Sequence, residues 1–202
     1  MNPGPEFRSD CMTVKEKVVA QGALLWKFLG FFQPPLLRCI HASVITLVLL
    51  QILLSFGMVV LPSGLSPLVW IHIILGMFLC VFGVTLVVLS VKKRGLRNFF
   101  PYLWGDNDQL IKDLRAAAQF KVVGPRPKGL PACVQGLGMW ALLLTVASGL
   151  WWFDNWSNHR SLLTAYSVHK FFAWSLALYL VGHGGMALAH FAIWQKKTAP
   201  KK

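Results

Sequence analysis

Six histidines stand in the chain, at positions 41, 72, 159, 169, 183 and 190, and five of them fall inside or at the edge of long apolar runs. An ionisable ring is costly in lipid and is kept where it binds something or relays a proton, although any single one could simply hydrogen-bond across helices. Their spacing narrows the chemistry. His169 and His183 are fourteen residues apart, close to four helical turns. They therefore leave one helix from nearly the same face, about 21 Å apart along its axis. One helix offers two imidazoles at two depths, and imidazole is the commonest biological metal ligand.

Four uncharged or nearly uncharged runs must position these rings: Cys39 to Leu61, Leu68 to Val91, Ala132 to Phe153, and Leu162 to Trp194, which holds Lys170 besides its histidines. Each is long enough to cross a bilayer as a helix, for which about 20 residues suffice. Strands of a barrel would be half as long and alternating. The composition agrees: 55% hydrophobic residues, 13% charged and a mean hydropathy of +0.56 exclude a soluble globule, a disordered chain and a collagen-like fibre. The net charge of +13 comes from residues that flank the spans. They form no basic stripe interleaved with aromatics, so no nucleic-acid partner is expected.

Charge placement sets the expected orientation. Arg8, Lys15, Lys17, Lys27 and Arg38 precede the first span; nine basic residues from Lys92 to Lys128 fill the loop between the second and third; Lys196, Lys197, Lys201 and Lys202 close the tail. Eighteen of the twenty basic residues thus share one side, which the positive-inside rule makes cytoplasmic. The expected fold is an all-α, integral membrane four-helix bundle with both termini cytoplasmic. It divides into an arm over 1–38, a bundle over 39–194 with its cytoplasmic loop at 92–131, and a basic tail over 195–202. The opening residues lack the pattern of a cleavable signal peptide. Trp151, Trp152 and Trp156, with Trp104 and Trp194, suit the aromatic belts at the two interfaces.

Residues 13 to 33 read as an amphipathic interfacial helix that Pro34-Pro35 breaks. Asp106 with Gln109 reads as a capping box opening a second one, whose apolar side carries Leu110, Ile111, Leu114 and Ala118. Cys11, Cys39, Cys80 and Cys133 are isolated. No CxxC or CxxCH pattern supports covalent haem attachment, zinc or iron–sulfur ligation, and these read as inert thiols.

Antiparallel packing pairs the rings by depth. His72, near the outer end of the second helix, should meet His169, and His41, at the inner start of the first, should meet His183. Each pair could hold one haem b between facing helices, whereas zinc would need three or four ligands at one depth. Lys170 and Arg38 can snorkel towards the interfaces and neutralise haem propionates at the outer and inner sites. His190 is expected as an interfacial residue and His159 as a solvated loop residue. Gly76 and the glycines 182, 184 and 185 around His183 would let a flat macrocycle approach the backbone, and equally serve ordinary helix packing.

With CIHASVITLVL around His41, WIHIILGMFLCVFGVTL around His72, a histidine-free third helix VQGLGMWALLLTVASGLWWF and VHKFFAWSLALYLVGHGGMALAHF in the last, the chain resembles the bacterial cytochrome b561 and nickel-hydrogenase b-type cytochrome family. The resemblance implies a four-helix membrane protein with two haems b whose axial iron ligands are His41, His72, His169 and His183. His190 matches a family histidine that does not bind iron. Ala42 departs from the Trp that many members carry after the first ligand, and the middle loop is long. The function implied is electron transfer between an outer-side donor or acceptor and the quinone pool of a bacterial inner membrane. The chain would act as a respiratory carrier or as a membrane subunit docked to a periplasmic redox protein or hydrogenase-like subunit. An alternative is a self-sufficient superoxide oxidase that reduces ubiquinone. A rival of another class is a haem-free scaffold or transporter whose histidines relay protons or bind a transition metal.

Overall fold

The computed structural model describes residues 13–58, 60–61 and 64–198. Arg8, Cys11, Lys201 and Lys202, named above, lie outside them. The chain runs through α1 (Val14–Gly30), α2 (Pro35–Ser55), a two-residue antiparallel ribbon β1 (Val60–Leu61) and β2 (Gly64–Leu65), and α3 (Pro67–Arg94). It continues through the short α4 (Leu96–Phe99), a 3-10 turn (Pro101–Trp104), α5 (Asp108–Ala118), α6 (Leu130–Ser157) and α7 (Leu163–Thr198). Four of these, α2, α3, α6 and α7, are long and apolar enough to cross a membrane. Their ends are called here the hairpin end, where β1 and β2 join α2 to α3, and the basic end, which carries α1, α4, α5 and the tail.

Proline opens three of the four spans, at Pro35, Pro67 and Pro131. Its missing N–H costs nothing in a first helical turn, and its fixed φ favours helix there. Lys92, Lys93 and Arg94 in the last turn of α3 complement the negative end of that helix's dipole. Gly95 then turns the chain at φ +78, a backbone conformation that side chains disfavour.

Two expectations change. The first span ends at Ser55 and not at Leu61, because Phe56 and Gly57 close the helix with N–H bonds to Leu53 and Leu54 carbonyls and the chain then enters the ribbon. Asp106 and Gln109 form no capping box. Helix α5 begins at Asp108, its N-cap Asn107 makes no side-chain cap bond, Asp106 is drawn to Lys128 at 2.6 Å and Arg97 at 3.3 Å, and Gln109 donates to Asp113. The capping box that does form is Thr13 with Glu16 at the start of α1. The Thr13 backbone N–H holds the Glu16 carboxyl below its ordinary value.

The amphipathic helices use their faces differently. α1 seats Phe28 against Phe191 and Trp194 of α7, at ring-centre distances of 5.5 and 5.6 Å. α5 turns its polar side inward: Asp113 is only 3% exposed and accepts from the Leu130 N–H at the start of α6, while Ile111 and Leu114 face outward. An outward apolar side suits a helix resting on hydrocarbon. The spans themselves expose Leu53, Phe78, Val81, Leu178 and Val181 around the bundle, as lipid as a solvent permits.

In the bundle α2 packs on α3, α3 on α6 and α6 on α7, whereas the backbones of α2 and α3 stay apart from that of α7. What fills the middle of that separation is an apolar layer of Val44, Val48, Leu79, Leu142 and Leu176. Leu176 stands seven residues from both His169 and His183, so this layer divides the bundle into two halves, each with its own pair of rings.

Candidate functional site

Across the gap between α2 and α7, His41 and His183 face each other with ring centres 6.3 Å apart and planes at 67°. Across the gap between α3 and α7, His72 and His169 do the same at 6.3 Å and 85°. The first pair belongs to the basic end and the second to the hairpin end. Neither pair is in direct hydrogen-bond contact, and both hold the same separation although they join different helices. Among the described residues no three His, Cys, Asp or Glu side chains gather into a metal site. The donors come as pairs.

Three of the four rings are held by neighbouring groups. His169 Nδ1 lies 3.0 Å from the Thr145 carbonyl and 3.2 Å from Ser148 Oγ on α6. A carbonyl only accepts, so Nδ1 carries the proton and Nε2 keeps its lone pair. Gly149 makes the approach possible, since a Cβ there would stand 3.1 Å from the His169 ring. His183 is stacked by Tyr179, one turn earlier, at 5.2 Å and 15°. Tyr179 in turn occupies the space that a side chain at Gly138 would need.

His41 Nδ1 meets the Gln33 side-chain amide at 3.0 Å. His72 Nδ1 is buried without a partner, and beside it Gln51 donates to the His72 carbonyl at 2.9 Å while its own Oε1 is buried and unpaired.

The other expected site residues are placed as follows. Arg38 lies one turn before His41, its Nη1 donating to the Trp26 carbonyl at 2.8 Å and its guanidinium 4.3 Å over the Trp26 ring; its Nε is buried and unpartnered. Lys170 is exposed beside His169 and leans towards the Tyr166 ring. His190 donates to the Val123 carbonyl at 3.0 Å and so ties the middle loop to α7. His159 sits exposed in the turn from α6 to α7 with φ +53.

Gln33, Thr145, Ser148 and Tyr179 escaped the sequence reading. Thr145 and Ser148 carry a faint signal, being polar residues one turn apart in the otherwise apolar stretch 136–153 of α6. Gln33, in a loop, carries none.

The residues fit a flat, iron-centred macrocycle. His41 with His183 and His72 with His169 would hold it from facing helices, the His72 Nδ1 and Gln51 Oε1 atoms are buried without partners beside one pair, and the backbone at Gly182, Gly184 and Gly185 beside His183 is bare of neighbouring side chains. Rings held apart in this way, out of hydrogen-bond reach of each other, would leave room for one ion between them.

Fold and site define a multi-pass membrane protein whose core is arranged as two imidazole pairs. The model of the prokaryotic cytochrome b561 family matches residues 33–201, and the chain belongs to that family. It is a membrane b-type cytochrome of electron transfer. No curated protein and no solved structure matches the chain.

Proposed function

We propose that the chain binds two haems b, one between His41 and His183 and one between His72 and His169, and carries electrons across the bilayer between a donor or acceptor at the hairpin end and the quinone pool. The single observation that carries this reading is the equal 6.3 Å separation of two histidine pairs at two depths of one bundle. When bound, haem supplies the reversible one-electron chemistry of iron. The chain supplies the rest: the four imidazoles that would hold it, and the apolar Leu176 layer that separates the two pairs.

The basic end is taken as cytoplasmic and the membrane as a bacterial inner membrane, on the charge distribution alone. Arg38 and Lys170 are the proposed contacts for haem propionates at the two ends. For the quinone, support comes from an apolar groove of about 240 Å3 at the basic end, lined by Phe120, Val123, Leu130, Met186 and Ala189. Met186 lies one turn beyond His183, so the groove borders the basic-end pair. Whether the chain serves as a respiratory carrier or as the membrane subunit of a larger redox complex, the same wire is used. A superoxide oxidase would want a cationic mouth at the hairpin end, and there Arg160 is ion-paired to Asp154 at 3.1 Å.

The test is a reduced-minus-oxidised absorbance spectrum with haem quantified per chain, on wild type, His72→Ala and His183→Ala. Wild type should hold about two haems b and each variant should lose one. A wild-type chain that stays haem-free under haem-sufficient expression overturns the reading in favour of a scaffold or transporter.

A further inference from the structure

His41 and His169, one ring from each pair, are anchored by different kinds of group. His169 is oriented by a backbone carbonyl, Thr145 O, which cannot turn. His41 is oriented by the end of a side chain, Gln33, in the elbow between α1 and α2.

That elbow is itself held on three sides. The Gln33 N–H donates to the Leu29 carbonyl at 3.1 Å, Arg94 at the end of α3 donates to the Phe32 carbonyl at 3.1 Å and to Gln135 of α6 at 3.1 Å, and Arg38 ties α2 back to Trp26. The Gln33 amide is therefore delivered to His41 by the packing of α1, α3 and α6 together.

An amide has a donor end and an acceptor end, related by half a turn of its last bond. With Nε2 towards His41, Nδ1 accepts and the ring proton sits on Nε2, the only nitrogen left to face His183. With Oε1 towards His41, Nδ1–H donates and Nε2 is free to bind a metal. Gln33 Oε1 is buried with no partner in the first arrangement, so nothing else on the chain holds the amide there.

We propose that Gln33 is a positioning residue which fixes the tautomer of His41 and sets the redox potential at the basic-end pair, whereas at the hairpin end His169 is held by a backbone carbonyl. This rests on the two-haem reading above. An acceptor at Nδ1 makes an imidazole a stronger donor through Nε2, which favours the oxidised, more highly charged iron and lowers its potential. The elbow thereby links the interfacial helix α1 to one redox centre and not to the other.

The experiment is a spectroelectrochemical titration of the purified protein as wild type, Gln33→Leu, Gln33→Glu and Ser148→Ala. Removal of the acceptor in Gln33→Leu should shift one of the two reduction waves upward, and the stronger acceptor in Gln33→Glu should shift the same wave downward. Ser148→Ala should leave that wave in place. If Gln33→Leu fails to take up haem, the downward shift in Gln33→Glu alone decides. Waves that do not move in haem-loaded variants, or that move in the same direction in both, overturn the assignment of Gln33 and leave the haem reading intact. A wild type without haem overturns the haem reading itself.

Discussion

Tyr179 lies parallel to His183, ring centres 5.2 Å apart and planes 15° apart, and it can do so because position 138 on the neighbouring helix is glycine. The pair shows how α6, which has no histidine, shapes both sites. It presents Gly138 behind Tyr179 at the basic end and Gly149 beneath His169 at the hairpin end.

Gly138→Ala should therefore do more damage than an ordinary helical substitution. The added methyl meets the Tyr179 ring, an overpacking expected to cost about 1–3 kcal/mol and to turn His183 off its axis. Thermal unfolding in detergent and haem content per chain should both fall. Gly22→Ala in α1, where a Cβ meets nothing, should lower neither.

Leu176→Ala opens the layer between the two pairs. A buried leucine truncated to alanine typically loses about 2–5 kcal/mol, less where neighbours collapse inward. Stability should drop while haem content per chain stays that of wild type, because none of the four paired histidines is touched. Loss of a haem in this variant would show that the layer positions the rings as well as separating them.

Asp113 joins α5 to the start of α6, accepting from Gln109 and from the Leu130 N–H. Asp113→Ala removes the acceptor for an otherwise orphaned first-turn donor, at about 0.5–2 kcal/mol. Hydrogen exchange at residues 108–132 should accelerate. Gly129 packs so closely on Asp113 that Gly129→Ala should produce the same signature from the other side.

The Asp106 carboxyl is held below the usual carboxylate range, chiefly by the Lys128 side-chain hydrogen bond and further by the charges of Lys128 and Arg97. A carboxyl lowered in the folded state contributes above its unfolded value and stops contributing as pH falls through the lowered one. Protease sensitivity of the segment from Arg97 to Lys128 should accordingly be low at neutral pH and rise in acid. Asp106→Asn should be sensitive at neutral pH already, with little further change.

The spans, their number and the four histidines were legible in the sequence, because lipid demands long uncharged helices and makes each buried imidazole conspicuous. Pairing by depth was legible too, since helix rise turns the His169 to His183 interval into a distance and antiparallel packing brings one ring to each. The boundary at Ser55 and the fate of Asp106 were not. Apolar residues continue past the end of α2, and Asp106 answers to Lys128, twenty-two residues later in the chain.

Only the tertiary structure decided which groups hold the rings. Thr145 acts through its backbone carbonyl, Tyr179 through a glycine on another helix, and Gln33 through an elbow fixed by Arg94. A residue's sequence reports its own burial and period, whereas an anchoring contact depends on two distant surfaces meeting within hydrogen-bond distance. The pattern therefore names the positions of the four rings, and the packing of α6 and of the α1–α2 elbow determines how His41, His169 and His183 are turned.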